Sequence, residues 1–386
     1  MIDKLGTKWI EIDLDALKHN LRAIQKRVAP AGVIAVIKAD AYGHGAVEVA
    51  QAAEKCGIRI FAVSCLEEAI ELRRAFFNRE ILVFGSLPES QVCDIVNYGL
   101  TPSLCTLEFA RALSIYAAKR KKTVKVHVCV DTGMGRVGPY YTEAVAFIRK
   151  VAVLKNLKLE GLYSHFSTSD DDASFAQLQK GRFDSLLAGL KKCGIRFPLV
   201  HLANSGGVLN VPGSRYHAVR TGLIMYGIYP SPRRKDYPEL KNVFSLKTRV
   251  AYVRHVPQGF SVGYGRKYVT AHATDIITLP VGYADGFPRK FTNKGQVLIN
   301  GRRLPVVGSV CMDMIMVDAG KNSRIKIGEV AVLVGRQGKE AITVYDMARD
   351  LETIPYEVIC VLGKRLTRVY IKDRRVVEVK RMIPEF

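Results

Sequence analysis

The sequence lacks any cysteine pattern that would indicate a disulfide framework or a zinc site. Its eight cysteines are scattered, mostly among apolar neighbours, and no C-x-x-C pair is present. Secreted disulfide-rich proteins and zinc sites both show closely and regularly spaced cysteines. The pattern therefore predicts free thiols in a reducing cytoplasmic compartment.

Long hydrophobic runs are also missing. No apolar stretch approaches the ~18 residues that a transmembrane helix needs. The N-terminus, MIDKLGTKWIEIDLD, alternates charged and apolar residues and has no signal-peptide core. We therefore expect a soluble protein with no membrane association. A chain of 386 residues exceeds one ordinary hydrophobic core, which predicts two domains.

Acidic residues are scarce relative to basic ones, with 36 Asp and Glu against 58 Lys and Arg. The densest basic clusters are Lys119–Lys122, Arg233–Lys235 and Lys372–Arg375. None is interleaved with aromatic residues, which nucleic-acid-binding proteins use to stack on bases. The net charge of +22 thus predicts a solvated basic surface that attracts anionic ligands, and no nucleic-acid site.

Short apolar runs alternate with amphipathic stretches over the first two thirds of the chain. Leucines and other apolar residues recur at helical spacing over 13–28. Strands are predicted near 33–37, 60–63, 81–84, 101–104, 124–130, 159–164, 199–202 and 217–220, with helices such as 66–77, 107–119 and 175–192 between them. Eight β-α units predict a (β/α)8 barrel over residues 1–240, the first ~10 residues of which are expected to pack with a second domain.

The pattern changes after Tyr229. The segment PSPRRKDYP is rich in proline and charge and is typical of a linker. Beyond it, β-type runs near 248–256, 275–279, 296–299, 306–310 and 330–334 alternate with glycine turns. One helix is expected near 343–351. Residues 241–386 are therefore predicted to form a mainly β domain.

One stretch, VIAVIKADAYGHG over 33–45, organises the chemistry of the first domain. Its β-branched run is typical of a strand buried on both faces, and it ends at Lys38. Partial desolvation at such a strand end disfavours the ammonium form, so the amine becomes available as a nucleophile or base. The alternative interpretation is a lysine that simply reaches for solvent.

Other polar groups follow the remaining predicted strands. In a barrel of this kind the carboxyl ends of the strands meet at one rim, which carries the active site. The groups expected there are Lys38, Arg136, His165, Ser205 and Arg220. They suit a phosphate-bearing aldehyde cofactor, with a Schiff base at the lysine and the phosphate at Ser205 and the backbone of Gly222 and Leu223. Individually, the histidine is also compatible with a core position, the arginines with surface ion pairs, and the serine with a helix cap.

The segment GMGRVG over 133–138 matches the G-x-G-x-x-G pattern of dinucleotide-binding proteins. That fold also needs an acidic residue at the end of the following strand. Here Glu160 comes at the start of that strand, and Pro139 interferes with the start of a helix. Dinucleotide binding is therefore not predicted.

Taken together, the motifs resemble those of the alanine racemases, which are fold-type III pyridoxal-phosphate enzymes. The matching segments are AVIKADAYGHG, VDTGMGRVG, YSHFSTSD, HLANS, VRTGLIMYG, VGYG, VGYADG, SVCMD and IPYE, which follow the family's order along nearly the whole chain. The resemblance implies an N-terminal barrel, a C-terminal β domain and a homodimer with shared active sites. It also implies racemisation of L-alanine and D-alanine, which supplies D-alanine for peptidoglycan.

The resemblance also implies roles for individual residues. Lys38 and Tyr264 match the two catalytic bases, the tyrosine being supplied by the second subunit. Arg220 matches the partner of the pyridine nitrogen, and His165 matches the residue that stacks on the ring. The cofactor-binding positions are Lys38, Tyr42, His165, Asn204, Ser205, Arg220, Gly222, Leu223 and Tyr356. The substrate-binding positions are Arg136, Met312 and Tyr283, and Tyr283 and Tyr356 narrow the entrance.

One position departs from the family. Many alanine racemases have a lysine, modified to a carbamate, two residues before the aspartate of VDTGMGR, and this chain has Cys129 there. The negative charge that would orient Arg136 is therefore missing. A bound anion such as chloride, a nearby acid or a cysteine thiolate are the alternatives.

Other functions remain as competing hypotheses. A racemase for serine would need few changes in the pocket. A decarboxylase of similar architecture needs a stronger electron sink than an arginine at the ring nitrogen provides. A cofactor-binding regulator would have no use for the tyrosines of the second domain.

Overall fold

The computed structural model describes residues 6–75, 77–230 and 236–382, so the basic cluster Arg233–Lys235 lies outside the described residues. The chain forms two compact units. One comprises Ala16–Lys241, and the other combines Met1–Asp15 with Asn242–Phe386.

The first unit is a closed barrel of eight parallel strands, which confirms the predicted (β/α)8 fold. The first and last strands pair with each other and close the cylinder. Its strands are β2 (Gly32–Val36), β3 (Ile60–Val63), β4 (Glu80–Val83), β5 (Thr101–Leu104), β6 (Val124–Cys129), β7 (Leu157–Tyr163), β8 (Leu199–His201) and β9 (Ala218–Thr221).

The helices pack their apolar stripes against the barrel. In α1, for example, Leu17, Leu21 and Ile24 recur at helical spacing and are fully buried. The helical segments of this unit are α1 (Leu14–Val28), α2 (Lys38–Tyr42), α3 (Ala46–Lys55), α4 (Leu66–Arg74), α5 (Val92–Asn97), α6 (Leu107–Lys119), α7 (Ala144–Ala152), α8 (Ala173–Lys192) and α9 (Ser205–Asn210).

Helix α4 is shorter than the sequence pattern predicts. It ends at Arg74 rather than near residue 77. The guanidinium of Arg73 donates hydrogen bonds to the carbonyls of Phe77 and Arg79, at 2.7 and 2.8 Å, and so holds the chain in its turn toward β4.

The second unit is built on an eleven-stranded sheet with a small two-stranded ribbon. The strands are β1 (Lys8–Asp13), β10 (Phe244–Arg249), β11 (Tyr252–Val256), β12 (Ser261–Val262), β13 (Tyr268–Val269), β14 (Thr274–Leu279), β15 (Gln296–Ile299), β16 (Arg302–Val307), β17 (Ile315–Asp318), β18 (Val330–Gln337), β19 (Glu340–Ile342), β20 (Thr367–Lys372) and β21 (Arg375–Lys380). Two helices accompany them, α10 (Val344–Leu351) and α11 (Pro355–Cys360).

The N-terminal strand belongs to this second unit. β1 pairs antiparallel with β10 and parallel with β20, and its side chains Trp9, Ile10 and Ile12 are buried. The sheet is therefore assembled from both ends of the chain.

One predicted strand of the second unit differs from the structure. The run 248–256 is not one strand, because the chain bends between β10 and β11 and the two pair with different neighbours. The IPYE motif lies at the start of α11, where Pro355 takes the first helical position, which needs no amide hydrogen.

Among the residues described, no helix has both the length and the hydropathy of a membrane-spanning segment.

Candidate active site

Lys38 is held at the carboxyl rim of the barrel by an unusual turn. The four residues after it, Ala39–Tyr42, have φ between 52° and 55° and wind in the left-handed sense. Residues with a Cβ adopt this conformation at a cost of about 1–2 kcal/mol each. The turn is held by the Ala46 amide, which donates to the Asp40 carboxylate at 2.8 Å, and by the Ala39 amide, which donates to Glu68 at 2.5 Å. Strain of this kind is concentrated at functional sites.

Arg220, at the end of β9, lies at the centre of the polar rim. Its side chain is buried, and burial lowers the pKa of its guanidinium to about 10, which leaves it charged at neutral pH. The guanidinium carbon Cζ also lies over the Tyr163 ring, 5.1 Å from the ring centroid, in a cation–π contact. The guanidinium donates to the carbonyls of Ser164 (2.6 Å), Leu202 (2.8 Å) and His201 (2.9 Å).

The same guanidinium starts a chain of two histidines through the barrel interior. It donates to Nδ1 of His201 at 2.8 Å, and Nε2 of His201 lies 2.9 Å from Nδ1 of His127. Because a guanidinium can only donate, Nδ1 of His201 must be the acceptor and its Nε2 must carry the proton. Nδ1 of His127 then accepts, and its Nε2 faces the Glu80 carboxylate at 3.9 Å.

Burial keeps the histidines of this region neutral. It lowers the pKa of His201 and of His165 well below the ordinary value, and the positive charge of Arg220 acts in the same direction. Burial likewise lowers the pKa of His127 to about 3. His165 takes a hydrogen bond from Arg220 on Nδ1 at 3.3 Å. The charged guanidinium of Arg220 thus orients the neutral ring of His165 by donating a hydrogen bond to it.

The histidine chain depends on one glycine. A Cβ at Gly161, on the neighbouring strand β7, would lie 2.4 Å from Nδ1 of His127. Any larger residue there would displace the imidazole from His201.

A second cluster of rim residues forms an anion cradle. Ser205 starts α9, which is capped by Asn204, whose side chain accepts from the Gly207 amide at 2.8 Å. The Gly222 amide donates to the Ser205 hydroxyl at 3.3 Å. A Cβ at Gly222 would lie 2.4 Å from the hydroxyl oxygen of Tyr42, so only glycine fits. Hydroxyls and backbone amides from three segments of the chain therefore meet at one place, which suits a phosphate group.

The GMGRVG loop is organised around its own aspartate. The Asp131 carboxylate accepts hydrogen bonds from the amides of Gly133, Met134 and Gly135, at 2.7–2.8 Å. Three amides of this loop are therefore satisfied by a carboxylate of the same chain segment. The loop leaves the Arg136 side chain exposed.

Cys129, at the position where the family often has a modified lysine, is buried at the end of β6. Its thiol donates to the Val137 carbonyl at 3.8 Å, and Cys105 follows the neighbouring strand β5. The neighbouring Cys105 thiol lowers the pKa of Cys129, and the charges of Arg220 and Arg136 lower it further, whereas burial opposes them. The proximity of Cys129 raises the pKa of Cys105.

The predicted residues of the second unit lie in an open cleft of about 1250 Å³, lined in part by Tyr264, Tyr283 and Met312. These side chains are strongly exposed, at 74%, 42% and 53%. The backbone carbonyl of Tyr264 accepts a hydrogen bond from the Ser309 hydroxyl at 2.8 Å. Tyr356 lies on α11 and is not among the residues that line this cleft.

Sequence reasoning missed four residues of the rim and its support: His127, His201, Tyr163 and Cys105. His201 and Tyr163 stand in the HLANS and YSHF segments, next to residues that were selected. His127 could have been found as a polar residue within an otherwise apolar strand, and Cys105 as the residue following β5.

Acid should weaken the fold through His127. Its pKa is about 3 in the folded protein and ~6.5 in an unfolded chain, so its contribution is fully present above pH ~6.5 and is lost as pH falls toward 3. Each unit by which the pH falls within that window lowers the free energy of unfolding by about 1.4 kcal/mol. In His127→Gln, the urea unfolding midpoint should fall less between pH 7 and pH 5 than in the parent. The exposed-site control His272→Gln should behave as the parent, and an unchanged slope in His127→Gln would contradict the assignment.

Comparisons with known proteins agree on one family. Residues 12–230 match the family model of the alanine racemase N-terminal domain, and residues 243–370 match that of the C-terminal domain. The chain is 44% identical to the alanine racemase of Carboxydothermus hydrogenoformans, over 94% of this chain and 99% of the relative. It is 38% identical to that of Clostridium novyi, over 99% and 100%.

Solved structures show the same relation. The alanine racemase of Clostridium difficile 630 superposes with a TM-score of 0.94, at 35% identity, over 99% of this chain and 100% of that one. The enzyme of Bacillus anthracis, solved with L-Ala-P bound, gives a TM-score of 0.91 at 34% identity, over 97% of both chains. Together with the barrel rim described above, these matches establish that the chain belongs to the alanine racemase family of pyridoxal-phosphate-dependent enzymes.

Proposed function

We propose that this protein interconverts L-alanine and D-alanine by exchanging the proton at Cα between two bases on opposite faces of the substrate. The observation that carries the proposal is the buried Arg220, which is locked as a hydrogen-bond donor beside neutral histidines at the rim that also holds Lys38. Bound pyridoxal phosphate supplies the aldehyde that captures the amino acid and the ring that withdraws electrons from Cα.

The residues of the rim fit this cofactor. The cradle that a Cβ at Gly222 would fill would accommodate the phosphate. Lys38 would bind the aldehyde carbon, His165 would pack against the ring, and Arg220 would donate to the ring nitrogen. The phosphate ligands are proposed to be Tyr42, Ser205, Gly222, Leu223 and Tyr356, with Asn204 holding the start of α9 in place.

The arginine decides which reaction is favoured. A guanidinium with a pKa of about 10 donates a hydrogen bond without giving up its proton at neutral pH. The nitrogen of a bound cofactor ring would therefore stay unprotonated, and the ring would withdraw electrons only weakly. A weak electron sink disfavours transamination and decarboxylation and leaves simple return of the proton to Cα as the favoured outcome.

The second base is proposed to come from another copy of the chain. Lys38 serves one face of the substrate, and Tyr264 of the partner serves the other, with Arg136 and Met312 holding the substrate carboxylate. The strong exposure of Tyr264, Tyr283 and Met312 supports this arrangement, because large exposed apolar and aromatic groups in one cleft are typical of surfaces that are covered on association. Tyr283 and Tyr356 would then narrow the entrance of a site shared within a homodimer.

We propose that the enzyme acts in the cytoplasm, where it supplies D-alanine for peptidoglycan. All eight cysteines are free thiols in the structure, which fits a reducing compartment.

The reaction is tested by incubating the purified protein and pyridoxal phosphate with L-alanine or L-serine in deuterated water. Loss of optical rotation together with deuterium at Cα of alanine is the expected result. Exchange on serine alone would keep the mechanism and overturn the substrate. Absence of exchange on either amino acid, with the cofactor bound, would overturn the proposed reaction.

Gly222→Ala should weaken cofactor binding, because the added methyl group collides with the Tyr42 hydroxyl. We expect the Kd for pyridoxal phosphate, measured by absorbance titration of the apo-enzyme, to rise at least about tenfold. Gly181→Ala is the matched control, since a Cβ there meets nothing within 4 Å. Equal Kd values for pyridoxal phosphate in the two variants would contradict the assignment of the cradle as the phosphate site.

Tyr264→Phe should affect the two enantiomers unequally. Removal of one base should slow proton abstraction from one enantiomer by about 10²–10⁴-fold and from the other far less. Deuterium incorporation at Cα, followed separately from L-alanine and D-alanine, measures this. Tyr252→Phe, at an exposed tyrosine of β11, is the control.

Hybrid dimers then test the sharing of sites. Mixing Lys38→Ala with Tyr264→Phe subunits should restore one intact site in each mixed dimer and so recover activity that neither parent variant has. No recovery, despite subunit exchange shown by native mass spectrometry, would place both bases in one chain.

A further inference from the structure

Two cysteines lie side by side at the rim of the barrel. Strands β5 and β6 are parallel neighbours, and Leu104 is in register with Val128. The next residue on each strand is a cysteine, so Cys105 stands beside Cys129. Each thiol also contacts a backbone carbonyl, Cys105 that of Gly85 at 3.4 Å and Cys129 that of Val137 at 3.8 Å.

We propose that Cys105 and Cys129 form a peroxide-responsive dithiol site, whose reversible disulfide lowers the affinity of the enzyme for its amino-acid substrate. The consequence for substrate rests on the proposed function, whereas formation of the cross-link does not.

The backbone already permits this bond. Neighbouring strands lie about 4.7–4.9 Å apart, and disulfides join Cα atoms separated by about 4.4–6.8 Å. Because in-register residues on neighbouring parallel strands have their side chains on the same face of the sheet, closure requires rotation of the two side chains away from the carbonyls of Gly85 and Val137. Cys105 is half-buried and Cys129 is 4% exposed, so an oxidant must be as small as hydrogen peroxide to reach the Cys129 sulfur.

The chemistry assigns different roles to the two thiols. The neighbouring Cys105 thiol and the charges of Arg220 and Arg136 favour the thiolate of Cys129, which is the form that reacts. Its sulfur attacks hydrogen peroxide, an S–O bond forms, the O–O bond breaks and one water leaves. The sulfur of Cys105 then displaces the hydroxyl, the S–S bond forms and a second water leaves. Two thiols are oxidised and one peroxide is reduced to two waters.

The cross-link would act on the substrate through the loop that follows β6. In the reduced protein the Cys129 thiol donates to the Val137 carbonyl, next to Arg136. A disulfide has no hydrogen to donate to that carbonyl. The loop that presents Arg136 to the substrate carboxylate therefore loses this contact.

The experiment treats the holoenzyme with hydrogen peroxide, alkylates the remaining thiols and maps peptides by mass spectrometry without reduction. We expect a linked pair of peptides containing Cys105 and Cys129, and a KM for alanine raised about tenfold and restored by dithiothreitol. In Cys105→Ser the linked pair should be absent, and dimedone should capture a sulfenic acid on Cys129. Cys193→Ser, which removes an exposed thiol, should form the link as the parent does.

The outcomes separate the two proposals. Free thiols at 105 and 129 under peroxide that fully oxidises Cys193 would overturn the site, whereas a linked enzyme with an unchanged KM would overturn the effect of the disulfide on substrate affinity. Absence of the dimedone adduct in Cys105→Ser would overturn the assignment of Cys129 as the attacking thiol. If the reduced holoenzyme does not racemise alanine, the proposed function fails, while the peptide map still decides whether the cross-link forms.

Discussion

The barrel rim depends on the fact that the guanidinium of Arg220 can only donate hydrogen bonds. Three carbonyls and two histidine rings surround it as acceptors, and the tautomers of His201 and His127 follow from that direction. A lysine here would present a single point charge and could lose its proton on burial, whereas arginine keeps a planar, charged fork. The donor-to-acceptor direction of every hydrogen bond in this network is therefore set by the chemistry of the Arg220 side chain.

Burial and the positive charge of Arg220 together explain why several histidines near the site are uncharged. Desolvation makes the imidazolium form unfavourable at His165 and His201, and the adjacent guanidinium makes it more so. Neutral rings can pack flat against Tyr163 or against a cofactor without adding charge to the site; the rings of His201 and Tyr163 are stacked 5.0 Å apart. The rim thus carries a buried positive charge on Arg220 and leaves its histidines as oriented, uncharged surfaces.

Much of the fold was predictable because the local periodicity of apolar residues indicates its strands and helices. The eight β-branched runs and the amphipathic segments between them specify a barrel, and the carboxyl ends of the strands point to Lys38, His165 and Arg220 as residues of one rim. What local patterns do not show depends on neighbours distant in sequence. The packing of the first ~10 residues with the second domain was expected, but no local pattern shows the pairing of β1 with β20, the bend between β10 and β11, or the position of Cys105 beside Cys129. The His127–His201 contact likewise exists only once two non-adjacent strands face each other across the barrel interior.

The position of β1 has a consequence for how the protein is made. β1 is synthesised before the barrel, whereas its partners β10 and β20 are synthesised after it, so Trp9 cannot pair with Thr367 until translation has passed the whole barrel. During that interval the backbone edges of β1 are unpaired, and Ile10 and Ile12, which are buried in the folded protein, are available for pairing with other chains. The barrel can close while the polypeptide is still growing, whereas the sheet can be completed only once β20 has been synthesised. A chain that stops between the barrel and β10 would therefore have a closed barrel and an unpaired N-terminal strand.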